Sequence, residues 1–414
     1  MISMDFDIST GGWNILQTLT AAGYEAYLVG GCVRDILRGV PPHDWDICTS
    51  ARPEETAACF AGHRILETGL KHGTVTVLTD GVPYEITTYR TEGPYSDGRR
   101  PDHVRFVSSL EQDLARRDFT MNAIALGTDG ALRDPFEGAD DIKAGLIRCV
   151  GEPAQRFQED GLRLMRALRF SAVLGYRIGE QTAQAIHRCR AMLDKVAAER
   201  IHVELCALLT GQNAGKVLRQ YPDVLYQFWP ELEQNHRWEK TLHALEAAPS
   251  DTAVRLTVLL CGIGPSEQLL RRLKFDNATI KRVVTLAEHY SAPPPRDRKE
   301  LRRWLSRLGP ETFFQLLEVW RVNLLGQGPE NTAAAQLVEL DQIKAGAEQI
   351  MTEGQCLSLK DLAVNGRDVI AAGAAPGPAV GRILNRLLEQ VLNGELPNRR
   401  EVLLEQIEQK LSGS

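Results

Sequence analysis

The sequence predicts an α+β protein, with a mixed α/β head over about the first 150 residues and a long all-helical remainder. Three observations carry that prediction. β-rich runs with turn signals are confined to the first third of the chain. After Asp134-Pro135-Phe136-Glu137-Gly138 the strand signals fade. From there on, apolar residues recur at helical spacing to the end.

The elements follow in order. An amphipathic helix is expected near Ser9–Ala22, then a strand at Glu25–Val29, a helix at Val33–Arg38 and a strand at Trp45–Cys48. Gly73–Thr79 and Val82–Tyr89 read as a hairpin closed at Asp80-Gly81, because that dipeptide tolerates the positive φ angles of a two-residue turn. Glu85 falls in its second strand, on the face opposite Tyr84 and Ile86. Gly93–Asp102 is polar and rich in glycine and proline, so it reads as a mobile loop or an inert surface connection. Leu162, Met165, Leu168 and Val173 open the helical periodicity, and Val380, Ile383, Leu384, Leu387, Leu388 and Val391 carry it near the end. Pro293-Pro294-Pro295 marks a joint between helical units.

Bulk composition narrows the classes. A chain of 414 residues holds two to four domains, and 43% hydrophobic with 25% charged residues is ordinary for a soluble protein. No run of about 18 apolar residues occurs, which excludes a hydrophobic membrane-spanning helix. The N-terminal MISMDFDIST has no basic segment followed by an apolar core, so a cytoplasmic protein is expected. The eight cysteines are scattered without a CxxC pair, which argues for reduced, mostly buried thiols rather than a zinc site or disulfides. A net charge of -6 argues against broad nucleic-acid binding. Between Arg271 and Arg307, however, eleven Lys/Arg stand against four Asp/Glu. That zone suits a specific polyanion, and a solvated helix surface would look the same.

The chemistry concentrates in Leu28–Thr49, LVGGCVRDILRGVPPHDWDICT. Gly30-Gly31 after a strand lets backbone N–H groups approach phosphate oxygens, and Arg34 lies one turn on to hold a phosphate or a ribose. Asp44 and Asp46 stand one residue apart, so on a strand they share a face with Trp45 opposite. Two such carboxylates beside a phosphate site suit Mg²⁺. The plainer alternative is a buried glycine turn next to a solvated acidic strand.

Two further clusters matter. In Arg116-Arg117-Asp118-Phe119-Thr120-Met121-Asn122 the arginines suit triphosphate oxygens and Asp118 can accept from a ribose hydroxyl; a capped surface helix start is the alternative. In EDGLRLMRALR, Asp160, Arg163, Arg166 and Arg169 recur every three residues along one helix side, where an ordinary salt-bridge ladder would look alike. The chemical alternative is sharper. Cytosine and adenine both present an amine donor beside a ring-nitrogen acceptor, so an accepting Asp160 beside a donating Arg163 can read both. Guanine and uracil would face that pair with like against like, which excludes them by roughly 10⁴-fold in favourable cases.

These segments together resemble a class II (bacterial) tRNA nucleotidyltransferase, the CCA-adding enzyme family. LVGGCVRD, HDWDICTSA, TYRTEGPYSDGRRPDHVRFV, RRDFTMNAIA, DPFEGADDI, EDGLRLMRALRF and ERIHVEL carry the resemblance, with LSLKDLAVNGRDVI in the tail. It implies a nucleotidyltransferase-type catalytic head (1–150), a base-recognising neck (151–215), a body (216–295) and a tRNA-binding tail (296–414). It implies Mg²⁺ held by Asp44 and Asp46, triphosphate and sugar held by Gly31, Arg34, Arg117 and Asp118, and a base facing Asp160 and Arg163 with Arg166 and Arg169 in support. Glu199, Arg200 and Glu204 match a neck motif that braces this helix, and Glu85 matches a hairpin position that is a third acid or a cross-strand partner. The implied substrates are CTP, ATP and the tRNA 3′ end. Bacterial poly(A) polymerase shares head and neck motifs, and CC-only or A-only adders are the other enzymatic alternatives. A Walker-type ATPase is disfavoured because no GxxxxGK[ST] occurs. A dead transferase fold that only binds RNA would have lost a metal carboxylate, and both are present.

Overall fold

The computed structural model describes residues 9–66, 73–92, 104–327 and 333–412. The loop expected at Gly93–Asp102 lies outside them. The chain divides into two compact units, residues 1–234 with 272–274, and residues 235–271 with 275–414.

The first unit opens with α1 (Thr10–Ala21), started by the Ser9 hydroxyl accepting from the Gly12 N–H and buried through Ile15, Leu16 and Leu19. The strands β1 (Ala26–Val29) and β2 (Asp46–Thr49) flank α2 (Gly31–Leu37). After α3 (Pro53–Cys59) come β3 (Arg64–Leu66), β4 (Thr74–Thr79) and β5 (Val82–Thr88). Then follow β6 (Arg90–Glu92), β7 (Val104–Phe106), α4 (Leu110–Ala115), β8 (Ala125–Leu126) and β9 (Leu132–Arg133). Among the described residues seven strands form one mixed sheet in the order β3-β4-β5-β2-β1-β8-β9. β2 runs antiparallel to β1 and parallel to β5, which sets Asp46 opposite Val29 on one side and Glu85 on the other. The hairpin forms as its sequence demands, with Asp80 at φ 52° and Gly81 at φ 80°.

Val29, Cys48, Tyr89, Leu114, Ala125 and Val150 form a core cluster that fixes the central strands. Burying β2 at Ile47, Cys48 and Thr49 leaves only its first residue, Asp46, open to solvent. The start of this strand is therefore where chemistry can occur.

A helical region follows: α5 (Gly138–Ala144), α6 (Pro153–Glu159), α7 (Leu162–Leu174), α8 (Glu180–Cys189), α9 (Ala198–Thr210), α10 (Ala214–Gln220) and α11 (Pro222–Tyr226). It includes one short parallel pair, β10 (Leu146–Ile147) with β11 (Arg177–Ile178), too brief to leave a periodicity in the sequence. Leu162, Met165 and Leu168 are buried on α7 as expected. Val173 is not: at 50% exposure it lies off that face.

In the second unit α12 (Trp238–Ala247), α13 (Thr252–Leu260), α14 (Ser266–Arg272, its last residue in the first unit), α15 (Asn277–His289) and α16 (Arg298–Leu308) precede α17 (Pro310–Leu325). α12, α13, α15 and α16 pack around α17, whose Phe313, Leu316 and Trp320 are buried, as does α18 (Ala334–Thr352). The triple proline falls between α15 and α16, as its composition requires. The end of the chain builds its own small core from α19 (Gly366–Ala371), α20 (Pro378–Leu392) and α21 (Arg400–Ser412), with Val369, Leu387, Leu403 and Ile407 at its centre. Much of the basic zone is paired within its own unit: Arg272 with Glu231, Lys274 with Glu199, Arg282 with Glu311, and Arg298 with Glu353. All eight cysteines are free thiols, four of them buried. Among the described residues no helix is long and apolar enough to cross a membrane.

Candidate active site

Gly30 is the hinge of the site. It caps α2 at φ 77°, a conformation that favours glycine. A Cβ there would lie 3.2 Å from Arg117 Nη1 and 3.4 Å from Asp46 Oδ2, so a cation and an anion close on its backbone. At Gly31 a Cβ would meet only Arg34 Nη2, at 3.7 Å.

Asp46 is the first residue of β2, while Asp44 lies in a bend before it. The strand alternation expected to align the two does not reach Asp44; the loop brings it close instead. Its charge still acts on Asp46. Crowding by protein, then Glu85 and Asp44, push the Asp46 carboxyl above its ordinary range, with Arg117 opposing them. A hard cation would relieve that repulsion. Among the described residues no three His, Cys, Asp or Glu side chains converge as a metal cage. The observed place of Glu85 is the cross-strand position beside Asp46.

The arginines are held from behind by carboxylates. Asp113 is fully buried and accepts from Arg116 Nε at 2.9 Å and Arg117 Nη2 at 3.3 Å. Burial works against its charge, but the two guanidiniums outweigh it and its pKa falls below the usual value. Arg34 donates through Nε and Nη2 to Asp35 and through Nη1 to Asn122 Oδ1 at 3.0 Å. Asn122 Nδ2 donates in turn to Asp118 Oδ1 at 3.1 Å, and Asp118 Oδ2 accepts from Arg166 Nε at 2.8 Å. Burial opposes the charge of Asp118, yet Arg166, Asn122 and Arg163 lower its pKa to about 2. Arg169 pairs with Glu204 at 2.7 Å. The Phe170 ring supports Arg34, Arg166 and Arg169 at 5.2, 5.4 and 4.2 Å.

Asp160 and Arg163 sit differently from the helical ladder expected of them. Asp160 is the C-cap of α6, outside α7, where it accepts from the Leu162 N–H and from Arg200 at 2.7 and 3.2 Å. Arg163 is buried; it donates to Glu159 at 2.7 Å and to the Arg116 carbonyl at 3.0 Å. The two are sequence neighbours at one corner, each turned to another partner. Of the expected brace, Arg200 holds Asp160 and Glu204 holds Arg169, while Glu199 pairs with Lys274.

Sequence reasoning assigned no role to Asp113, Asn122 or Phe170. Asp113 is detectable three and four residues before Arg116 and Arg117, and Phe170 four residues after Arg166. Asn122 follows Asp118 by four residues, but its bond to Arg34, 88 residues away, leaves no mark in the spacing.

The chain resembles known proteins along most of its length. Family models match the poly A polymerase head domain over residues 26–148, a probable RNA- and SrmB-binding site of polymerase A over 175–233, and tRNA nucleotidyltransferase domain 2 over 249–407. The CCA-adding enzyme of Latilactobacillus sakei is 40% identical over 406 residues, covering 94% of this chain and 95% of that protein. That of Ligilactobacillus salivarius is 37% identical, covering 94% of each. The crystal structure of the Bacillus stearothermophilus CCA-adding enzyme in complex with CTP superposes with a TM-score of 0.77 at 33% identity over 97% of both chains. The Thermotoga maritima CCA-adding enzyme complexed with tRNA shares the fold, with a TM-score of 0.66 at 22% identity over 99% of this chain and 97% of that one. With Asp46 and Arg117 closing on Gly30, and with relatives this similar along nearly its whole length, the chain belongs to the CCA-adding enzyme family of tRNA nucleotidyltransferases.

Proposed function

We propose that this chain adds C, C and A in turn to the tRNA 3′ end from CTP and ATP, releasing pyrophosphate, with Asp44 and Asp46 as its metal-holding carboxylates. The observation that carries the reading is the convergence of Asp46 and Arg117 on the backbone of Gly30, with the charge of Asp44 beside them. A carboxylate suited to a cation and a guanidinium suited to a triphosphate thus stand against one stretch of backbone.

Enzymes of this family use a divalent metal; we assign it as Mg²⁺, because two hard carboxylates leave most of an octahedral shell to phosphate oxygens and water. When bound, such ions lower the pKa of the attacking ribose hydroxyl and neutralise charge on the leaving oxygens. The chain's own part is positioning. Arg117, held by Asp113, and Arg34, held by Asp35 and Asn122, direct N–H groups toward the triphosphate. Gly31 lets the phosphates approach the backbone, and Asp118 offers its carboxylate to the ribose. The terminal hydroxyl of the tRNA then attacks the α-phosphorus in line as the bond to pyrophosphate breaks.

Asp160 and Arg163 read the base, with Arg166 and Arg169 behind them. For that, Asp160 shares its carboxylate with Arg200 and Arg163 shares its guanidinium with Glu159. The division into head (1–150), neck (151–215), body (216–295) and tail (296–414) assigns catalysis to the first, base choice to the second and tRNA binding to the last. We place the protein in the cytoplasm.

The test uses tRNA transcripts ending at the discriminator base, at C or at CC, each given CTP, ATP or both with Mg²⁺. Stepwise C, C and a single A is the expected product; long A tails would assign poly(A) synthesis instead. Asp44→Ala and Asp46→Ala should each lower transfer by on the order of 10³-fold while tRNA binding persists. Near-normal incorporation by either variant would remove the metal assignment.

A further inference from the structure

We propose that Trp45, seated on the glycine pair Gly11-Gly12 of α1, is a positioning residue that holds Asp44 and Asp46 toward the metal. The inference rests on the assignment of those two carboxylates to the metal.

Strand alternation sorts the residues around them. Asp46 and Glu85 stand side by side in register on β2 and β5. Tyr84 points to the other face, where it is 3% exposed. Trp45, between the two aspartates in the chain, is half-buried and meets the same neighbour as Tyr84. A Cβ on Gly12 would lie 3.5 Å from Tyr84 Cε1 and 3.7 Å from Trp45 Cε3. The first turn of α1 thus touches both rings, and each ring immediately precedes an acid on the opposite face.

The glycine pair supplies space. Glycine is the poorest helix former after proline, yet two stand in succession in the first turn of α1. Neither has a positive φ, so conformational freedom does not explain them. At Gly11 a Cβ would lie 2.8 Å from Tyr84 Cζ, closer than side chains pack. The seat is also tied to the start of its helix. Ser9 Oγ shares a hydrogen bond with the Tyr84 hydroxyl at 3.1 Å and accepts from the Gly12 N–H at 3.0 Å.

Asp44 needs support of this kind. Strand pairing with β1 starts at Asp46, and Asp44 lies in the bend before it. Holding the Trp45 ring against α1 fixes the peptide units on both of its sides, one leading from Asp44 and the other to Asp46. Like charges push the two carboxylates apart, and the seated ring opposes that drift.

The probe is Mn²⁺ binding to the protein without nucleotide or tRNA, read as loss of the free-ion EPR signal. Asp46→Ala identifies the ions that belong to this site. Trp45→Ala should raise the Mn²⁺ dissociation constant by about tenfold, the effect of removing support from behind a metal ligand. Trp45→Phe, which keeps a ring on the seat, should stay within about threefold of the parent. Gly12→Leu, which fills the seat, should weaken Mn²⁺ binding in the parent but add nothing in Trp45→Ala, because both changes act through one ring. Affinity for tRNA and the thermal midpoint serve as controls.

A merely structural role would lower the midpoint of Trp45→Ala with Mn²⁺ affinity unchanged, or make the two substitutions additive. Either result overturns the proposal. Should Trp45→Ala or Gly12→Leu fail to fold, Trp45→Leu or Gly12→Val takes its place in the same cycle. If Asp46→Ala binds Mn²⁺ as the parent does, the metal assignment fails. The proposal is then decided by the same cycle read in kcat for C addition, where additive losses overturn it.

Discussion

Asp118 keeps a negative charge at a site where burial alone would neutralise it, because Arg166, Asn122 and its own Phe119 N–H all donate to it. With its pKa lowered to about 2 in the folded chain against 3.8 ordinarily, it binds a proton more weakly folded than unfolded. The sign follows: its stabilisation is fully present above about pH 4 and is lost as pH falls through about 2. Asp118→Asn should therefore be less stable than the parent by about 2 kcal/mol near neutrality, the equivalent of the shift. The gap between the two denaturant midpoints should close as the pH falls from 4 to 2; a gap that stays constant would show that Asp118 gains nothing from its partners. At this scale the sequence made visible those residues whose role is local. Gly30 needs only its own φ angle, and Asp46 needs only to begin a strand. Asn122 was not legible because its meaning lies in Arg34, which the fold brings from a separate helix.

Among the elements, the α6–α7 corner departs most from its sequence pattern. The spacing of Asp160, Arg163, Arg166 and Arg169 suits one continuous helix, but the chain breaks at Asp160, and α7 begins at Leu162. The break gives α6 and α7 a second task. Arg156 Nη1 donates to the Ala115 carbonyl at 3.1 Å and Arg163 Nη2 to the Arg116 carbonyl, so two cations cap the C-terminal end of α4, where bare carbonyls accumulate negative charge. That cap holds the backbone that carries Arg116 and Arg117. Periodicity could place the apolar faces of α7 and α20, because burial repeats with the helix, but it carries no information about a carbonyl that accepts from another element. Two arginines should thus behave differently. Arg156→Ala should raise the KM for both CTP and ATP by about tenfold with base choice intact, since it removes only the cap and its Glu159 pair. Arg163→Ala should raise the same constants and also admit UTP and GTP. Single-nucleotide incorporation with all four triphosphates distinguishes the two, and strict C and A selection by Arg163→Ala would leave this residue with the capping role alone.

Over the whole molecule, charge decides where RNA can be held. A chain of net charge -6 repels a polyanion on average, so any RNA surface must be a local exception. The sequence located one between Arg271 and Arg307 but did not reveal how much of it is neutralised, because Glu311 and Glu353 lie outside that stretch. On α16, Arg298 is paired with Glu353, and Arg302 donates to the Leu392 carbonyl at 2.7 Å. Lys299 and Arg303, one turn apart, have no ion-pair partner among the described residues, and Arg307, one turn on, lies over Trp304 at 4.4 Å. These three form one stripe at i, i+4, i+8 spacing, the arrangement that can follow consecutive phosphates. Replacing Lys299 and Arg303 by Ala should weaken tRNA binding and reduce the slope of log K against log salt by about 1 to 2, as each lost phosphate contact releases roughly 0.7 to 0.9 fewer counterions. Because the stripe belongs to the second unit and Arg34, Arg117 and Asp118 to the first, the KM for CTP should stay unchanged. Filter binding of tRNA between 50 and 200 mM salt, about the range in which such contacts are resolved, reads the slope directly. A uniform loss of affinity with the slope intact would mean that the two residues support α16 without touching phosphate.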